Sequence, residues 1–159
     1  MKILISPYSK YLRNGAVNPK NYPYWEELVS KLKNRGHEII QIGVANEKKL
    51  VEDCRFNMAL PQLEDLLKEC DLFISVDNFI PHMAHYIGAG QGIVLFGQSD
   101  PNIFGYPENI NLLRDRKHLR EKQFDMWEAV GFNPDVFVYP DIVMSNLENN
   151  KWVSGGKKE

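Results

Sequence analysis

Side chains able to bind or activate a ligand follow the apolar run "DLFISV" near the middle of the sequence. Asp77 comes directly after the run, and His82 stands five residues later in a short apolar segment. A carboxylate at this position suits sugar hydroxyls or an amine, and it also suits the start of a helix. We therefore take Asp77 and His82 as the candidate catalytic residues. Their alternative roles are a helix cap and a hydrogen-bonded structural histidine.

Other catalytic signatures are absent from the sequence. "GAGQG" precedes a strand instead of opening a helix, so it is not a dinucleotide fingerprint, and there is neither a P-loop nor a G-x-S-x-G motif. His82 and His85 could share a helix face, but no third ligand stands at a useful spacing, so we expect no metal and no cofactor. Cys54 and Cys70 match no metal or redox spacing, which fits a reducing compartment.

Composition narrows the class of protein. The chain has 159 residues, of which 43% are hydrophobic and 25% charged, and its formal net charge is −2. This balance gives no general electrostatic reason to bind nucleic acid or anionic lipid. No apolar run approaches 18 residues, and the N-terminus is too short for a signal peptide, so we predict a soluble cytoplasmic protein without membrane insertion.

Alternating apolar and amphipathic segments predict an α/β fold. The predicted strands are residues 2–6, 37–44, 71–76, 92–97 and, as a last short strand, 109–114. The predicted helices are 24–36, 46–54, 61–70, 80–88, 121–131 and a final one from 139 or 140 to about 147. The pattern is typical of a single Rossmann-like domain over residues 1–150, with an open, mostly parallel sheet and helices on both faces. We predict that residues 151–159 form a disordered tail.

Ligands of such sheets bind beyond the carboxyl ends of the strands. The residues that follow the strand-like segments are therefore the candidate binding residues: Ser6, Tyr8, Ser9, Lys10, Arg13, Lys20, Glu47, Met58, Asp77, Asn78, His82, Gln98, Ser99 and Asp100. Backbone N–H groups at a helix N-terminus suit a phosphate, and several cations in one loop suit a diphosphate. This set favours a nucleotide-sugar site over a catalytic triad, although the loop cations are equally compatible with ordinary solvated charges.

The order and spacing of these motifs resemble glycosyltransferase family 9, the heptosyltransferases. Residues 71–101 are similar to the family's D-[ST]-G-x-x-H-[LM]-A motif and the following strand that ends in L-F-G-x-T-x-P. Asp77, His82, Met83 and Ala84 keep the spacing of the first motif. Upstream, "KNYPYWEELVSKLKNRGHEIIQIG" resembles the family's K-x-W-P segment with its helix and next strand. The resemblance covers about residues 1–115.

The resemblance implies one half of a two-domain GT-B glycosyltransferase, the half that binds the nucleotide-sugar donor. Carried over by position, Lys20 would contact the donor diphosphate and Asp77 would bind sugar hydroxyls. His82 would lie beside the sugar or support the Asp77 loop. The acceptor domain and general base of such an enzyme would come from a protein partner or from a second copy of the chain.

Four further residues take roles from the resemblance. The backbone at Asn78 and Phe79 would face the phosphates, Glu47 would bind the ribose, and Met58 would border the base. Asn78–Phe79 also departs from the family pattern, which has a small residue and a glycine there. Glycine permits close approach of a phosphate to the backbone, whereas a phenylalanine blocks that approach or stacks on a base or sugar.

Three functions stay open from the sequence. The first is a glycosyltransferase, or the donor-binding subunit of a split one. The second is a non-catalytic module that binds or senses a nucleotide or nucleotide sugar. The third is a small nucleotide-sugar hydrolase or nucleoside-processing enzyme, with Asp77, Glu47 or Asp100 as the carboxylate that activates water.

Overall fold

The sheet of this protein is open and entirely parallel. The computed structural model describes residues 1–152. Its strands are β1 (Lys2–Ser6), β2 (Glu38–Gly43), β3 (Cys54–Phe56), β4 (Leu72–Val76), β5 (Gly92–Phe96) and β6 (Ile110–Leu113). Their order is β3-β2-β1-β4-β5-β6, with parallel pairing between all neighbours. The predicted Rossmann-like α/β fold is confirmed. Residues 153–159, most of the predicted tail, lie outside the described residues.

Helices cover both faces of the sheet. They are α1 (Trp25–Asn34), α2 (Leu60–Glu69), α3 (Phe79–Ile87), the short α4 (Pro101–Phe104) and α5 (Pro140–Asn149). Alternate strand residues point to opposite faces, so Ile3 and Ile5 pack with α1 and α5, while Leu4 packs with α2 and α3. The near-continuous apolar runs of the central strands follow from this burial on both sides.

The predicted helix over residues 46–54 is wrong: the segment is a loop that ends in β3. Gln41, fully buried inside β2, explains the difference. Its side-chain Nε2 donates to the carbonyl of Lys48 at 2.8 Å, and its Oε1 accepts from the N–H of Leu50 at 2.8 Å. The loop thus satisfies its backbone groups on a strand side chain instead of within a helix.

The predicted helix over residues 121–131 is also wrong, since the segment contains only a 3₁₀ turn at Trp127–Ala129. Side chains again take the backbone carbonyls that a helix would use. Arg120 donates through Nη1 to the carbonyl of Asp125 at 2.7 Å, and Gln123 Nε2 donates to the carbonyl of Arg120 at 2.7 Å. The sequence alternates apolar and polar residues at helical spacing here, but side-chain hydrogen bonds fix another conformation.

The end of β5 shows why its motif contains a glycine. A Cβ atom on Gly97 would lie 2.7 Å from Val136 and 2.8 Å from Phe137, two buried residues of the chain segment before α5. Only glycine leaves room for that segment to pack against the end of β5.

Within residues 1–152, no helix is both long and apolar enough to cross a lipid bilayer.

Candidate functional site

The candidate site lies at the carboxyl edge of the sheet, where β1 and β4 are neighbours. The chain leaves β1 towards β2 and leaves β4 towards β5, in opposite directions along the sheet, and ligands bind at such switch points. A cavity of about 760 Å³ opens there. The predicted catalytic and binding residues line this cavity with three exceptions, which are Arg13, Asp100 and Gln98. The Gln98 side chain instead donates to the carbonyl of Gly131 at 3.3 Å. The individual roles of these residues stay predictions.

Lys20 and Asp77 meet in the cavity. Lys20 Nζ lies 4.0 Å from Asp77 Oδ2, and the two side chains are only 21% and 12% exposed. Asn18 fixes the loop that carries the lysine, because its buried side chain accepts from the N–H of Lys20 at 3.0 Å and donates to the carbonyl of Lys10 at 3.1 Å. The long loop after β1 is therefore held in place by the hydrogen bonds of Asn18, a residue of the same loop.

Asn78 joins the ends of β1 and β4. Its Nδ2 donates to Ser6 Oγ at 2.9 Å and to the carbonyl of Tyr8 at 3.2 Å, while its Oδ1 accepts from the N–H of Ile80 at 3.0 Å. The same side chain thus caps α3 and holds the loop after β1. Ser9 Oγ adds a bond to the carbonyl of Asp77 at 3.2 Å. Asn78 accordingly has a structural role that the sequence alone did not indicate.

The N-terminus of α3 offers few donors to a ligand. The N–H of Ile80 is bonded to Asn78, and Pro81 has no N–H. Among residues 1–152, the N–H groups of Asn78 and Phe79 are therefore the donors left without a partner at the start of this helix. The Phe79 side chain is 55% exposed and lines the cavity. A phosphate at this helix would therefore depend on side-chain cations more than on backbone donors.

His82 is linked to a neighbouring tyrosine. Its Nδ1 lies 2.7 Å from the hydroxyl of Tyr106, whose ring stacks on the His85 ring with 4.0 Å between the centroids. His85 itself contacts the Glu108 carboxylate. The two histidines thus have separate hydrogen-bond partners. His82 lines the cavity, and its Nδ1 is held by the Tyr106 hydroxyl.

Glu47 lies at the other end of the cavity, in the loop after β2. Burial raises the pKa of its carboxyl above the ordinary value, and within the described part of the chain its buried Oε2 has no hydrogen-bond partner. Burial also raises the pKa of Tyr8 to about 12, with Glu47 contributing. Met58, after β3, lines the same end. This end can accept hydroxyl groups and pack against a flat ring.

Asp100, one of the three carboxylates considered for water activation, lies in an ion pair. Its carboxylate accepts from Arg116 Nη1 and Nη2 at 3.1 and 2.9 Å, and it caps α4 through the N–H of Asn102. The Arg116 guanidinium holds the pKa of Asp100 below its usual range. An aspartate held in this way is a poor base, so the geometry favours a structural role.

Sequence reasoning missed one side of the cavity. Arg120 and Trp127 line it, with the guanidinium carbon 3.6 Å from the centroid of the indole, and Lys20 Nζ lies 5.9 Å from the same centroid. Burial lowers the pKa of Arg120, while Asp125 and Asp77 oppose that shift. The basic and aromatic residues of this segment could have indicated a binding surface. The predicted helix over residues 121–131 did not place them at the cavity.

The match to a family model decides the class of this domain. The model described as glycosyltransferase family 9 (heptosyltransferase) matches residues 2–125. The chain belongs to this family. The resemblance drawn from the motifs is thereby confirmed. Among curated proteins, none is similar enough in sequence to count as a match.

Solved structures share the fold of this family 9 domain. The E. coli heptosyltransferase WaaC with ADP superposes with a TM-score of 0.62 at 16% identity, covering 94% of this chain and 44% of that one. The dodecameric iron-containing heptosyltransferase TibC in complex with ADP-D-beta-D-heptose gives 0.56 at 13% identity, covering 87% and 36%. The chain thus spans less than half the length of either protein, and it has the fold of one half of a GT-B enzyme.

Proposed function

We propose that this family 9 domain binds a nucleotide-sugar donor in the cavity at the switch point of its sheet. The observation that carries the proposal is the Lys20–Asp77 pair, a cation and a carboxylate 4.0 Å apart and largely shielded from solvent. A diphosphate linked to a sugar presents negative oxygens next to hydroxyl donors, and this pair complements both. The names of the solved relatives, which mention ADP and ADP-heptose, support the same class of ligand.

The order of the strands gives the ligand a direction. Glu47 and Met58 follow β2 and β3, Lys20 and Asp77 lie near the ends of β1 and β4, and Ser99 follows β5. Neighbouring strands are about 4.8 Å apart, so the distance from β3 to β5 is roughly 19 Å, comparable to an extended nucleotide sugar. We place the base and ribose near Met58 and Glu47, the diphosphate at Lys20, and the sugar at Asp77.

The domain would act as the donor half of a transferase. Asp77, with its Oδ2 4.0 Å from Lys20 Nζ, is positioned to accept hydrogen bonds from sugar hydroxyls next to a diphosphate. We therefore propose that the acceptor site and the general base come from a protein partner or a second copy of the chain. That TibC is described as dodecameric supports assembly as a route to a complete site.

Calorimetric titration with a panel of nucleotide sugars and their parent nucleotides tests this proposal. The native chain should bind one nucleotide sugar more tightly than its nucleotide. Asp77→Ala should weaken that binding by about 1–3 kcal/mol through lost charge-assisted hydrogen bonds. Affinity for the bare nucleoside diphosphate should stay the same or rise, because Lys20 loses its partner. Asp65→Ala, on the exposed side of α2, is the control, and an equal loss for both ligands would rule out a sugar-binding Asp77.

A binding module without catalysis is the second candidate. Two observations favour it: the Asn78 side chain occupies the N–H of Ile80, and the Phe79 ring stands at the cavity. Incubation of the native chain with its nucleotide sugar separates the functions. Release of nucleoside diphosphate only with an acceptor and partner present indicates transfer, release of free sugar without them indicates hydrolysis, and no release indicates sensing.

A further inference from the structure

One side of the cavity is built by residues 120–127, which we call the wall segment. Arg120, Gln123, Phe124, Asp125 and Trp127 of this segment line the cavity. Hydrogen bonds fix it to the exit of β5: the N–H of Arg120 donates to the carbonyl of Gln98 at 3.1 Å, and the N–H of Asp100 donates to Gln123 Oε1 at 2.8 Å. The segment therefore stands on the β5 side of Asp77, away from Glu47 and Met58.

Arg120 holds the Trp127 ring in place. The guanidinium carbon lies 3.6 Å from the indole centroid, the distance of a stacked cation–π contact. The same guanidinium donates from Nη1 to the carbonyl of Asp125 at 2.7 Å and from Nη2 to the carbonyl of Gln123. Arg120 thus stabilises the turn of the wall segment and positions the Trp127 ring near Lys20. The distance from Lys20 Nζ to the ring centroid is 5.9 Å.

The wall segment and the neighbouring Ser99 have buried polar atoms without a hydrogen-bond partner within the described part of the chain. Ser99 is only 2% exposed and lines the cavity, yet its Oγ has no partner among residues 1–152. Arg120 Nε is likewise buried without an acceptor in that part of the chain. Buried polar groups are nearly always paired in folded proteins, so an unpaired hydroxyl lining a cavity points to a polar ligand group as its partner.

We infer that Trp127 packs against the sugar of the donor and determines which sugar is accepted, with Arg120 as the positioning residue and Ser99 as a hydroxyl partner. The inference rests on the proposed function. An aromatic face suits the C–H face of a sugar ring, and the ordered ring excludes sugars whose substituents point towards it. Trp127 lies beyond the residues 2–125 that the family model matches, so the family match does not assign this contact.

Titration of the full chain with a nucleotide sugar that it binds, and with the parent nucleoside diphosphate, tests the inference. Trp127→Leu should reduce affinity for the nucleotide sugar about tenfold and leave that for the diphosphate within about twofold. Trp127→Phe, which keeps an aromatic face, should lose less than Trp127→Leu. Arg120→Gln should reduce affinity for the nucleotide sugar as Trp127→Leu does, because the Trp127 ring loses the guanidinium that positions it.

Arg114→Gln is the matched control. Arg114 also stacks on an aromatic ring, with its guanidinium carbon 5.1 Å from the Tyr139 centroid, and it donates to the carbonyl of Asp135 at 2.6 Å, but it does not line the cavity. Tryptophan fluorescence is an independent readout: the change on adding the nucleotide sugar should vanish in Trp127→Phe and persist in Trp152→Phe.

The outcomes separate the inference from the proposed function. If the native chain binds a nucleotide sugar and the Trp127 variants bind it equally well, the inference fails while the proposed function stands. An equal loss of both ligands also overturns it. A native chain that binds no nucleotide sugar overturns both. The unfolding midpoint of each variant is measured alongside, and because Trp127→Phe retains bulk, its fluorescence result holds even if Trp127→Leu does not fold.

Discussion

At the scale of single residues, the cavity brings together charges that the chain separates widely. Lys20 belongs to the loop after β1 and Asp77 to the turn after β4, yet their side chains are 4.0 Å apart and mostly buried. In the unliganded domain each charge compensates the other, which lowers the cost of burying them. A diphosphate would compete with Asp77 for the lysine, so under the proposed function the pair would couple the phosphate and sugar subsites.

Replacing Lys20 should separate the contribution of the phosphates from that of the nucleoside. Lys20→Ala should weaken nucleoside diphosphate binding by about 1.5–3 kcal/mol, the range for a hydrogen bond to a charged group, and leave nucleoside binding unchanged. Calorimetric titration with both ligands measures the difference. Lys48→Ala, whose lysine pairs with the exposed Glu26, is the control. A Lys20→Ala variant that binds the diphosphate like the native chain would refute the assigned role.

The raised pKa of Glu47 gives a prediction on stability against pH. Burial favours the uncharged carboxyl in the folded state, so folding takes up a proton near the ordinary value of 4.5. Stability from this group is present below pH 4.5 and is lost as the pH rises through the folded pKa. Glu47→Gln, which cannot ionise, should therefore raise the unfolding temperature more at pH 7.5 than at pH 4. An equal shift at both values would contradict the raised pKa.

At the scale of elements, one side chain connects two strands and a helix. Asn78 donates to the chain after β1 and accepts from the first turn of α3. This position carries a serine or threonine in the family motif. A hydroxyl can cap α3 but is too short to reach both Ser6 and Tyr8. The larger asparagine side chain does both, and so it also orders the loop after β1.

Two substitutions separate the functions of Asn78. Asn78→Ala should destabilise the fold by about 1–2 kcal/mol through the lost cap, and by more through the lost bonds to the loop. Asn78→Ser should keep the cap and cost about 1 kcal/mol less. Urea denaturation gives the free energy of unfolding for both variants. Equal destabilisation by serine and alanine would show that the cap contributes nothing.

At the scale of the whole molecule, two hydrophobic cores lie on opposite faces of the sheet and are built from different parts of the chain. The core against α2 and α3 is built from buried residues between Leu4 and Phe96. The core against α1 also needs α5, which returns after the irregular segment between β6 and Pro140. Tyr22 supports this return, because its hydroxyl donates to the carbonyl of Val138 at 2.8 Å. The chain from the wall segment to α5 is therefore fixed at one end by β5 and at the other by the docking of α5.

The docking of α5 should contribute strongly to global stability. Leu147 is 1% exposed and packs in the core with α1, so Leu147→Ala should cost about 2–5 kcal/mol from lost burial and the cavity left behind. Ile142→Ala, at a position of the same helix that is 47% exposed, should change stability by less than about 0.5 kcal/mol. Urea denaturation of both variants makes the comparison, and similar values would mean that α5 does not complete the core.

The sequence alone determined five of the six strands, most of the helices and the centre of the candidate site. Apolar runs and 3.6-residue periodicity are local properties, so β1, β4, β5, α1 and α3 follow from neighbouring residues. The parallel alternation then places the residues after each strand at one edge. For this reason Ser6, Lys20, Glu47 and Asp77 could be assigned to a common site without coordinates.

The tertiary structure decided what depends on hydrogen bonds between side chains and backbone. Residues 46–54 and 121–131 have helical patterns, but Gln41 and Arg120 bind their carbonyls and hold them as loops. The Trp127 wall and the bridging role of Asn78 arise in the same way. A hydrogen bond from a side chain to the backbone leaves no periodic trace in the sequence, because its partner does not recur at a regular spacing along the chain.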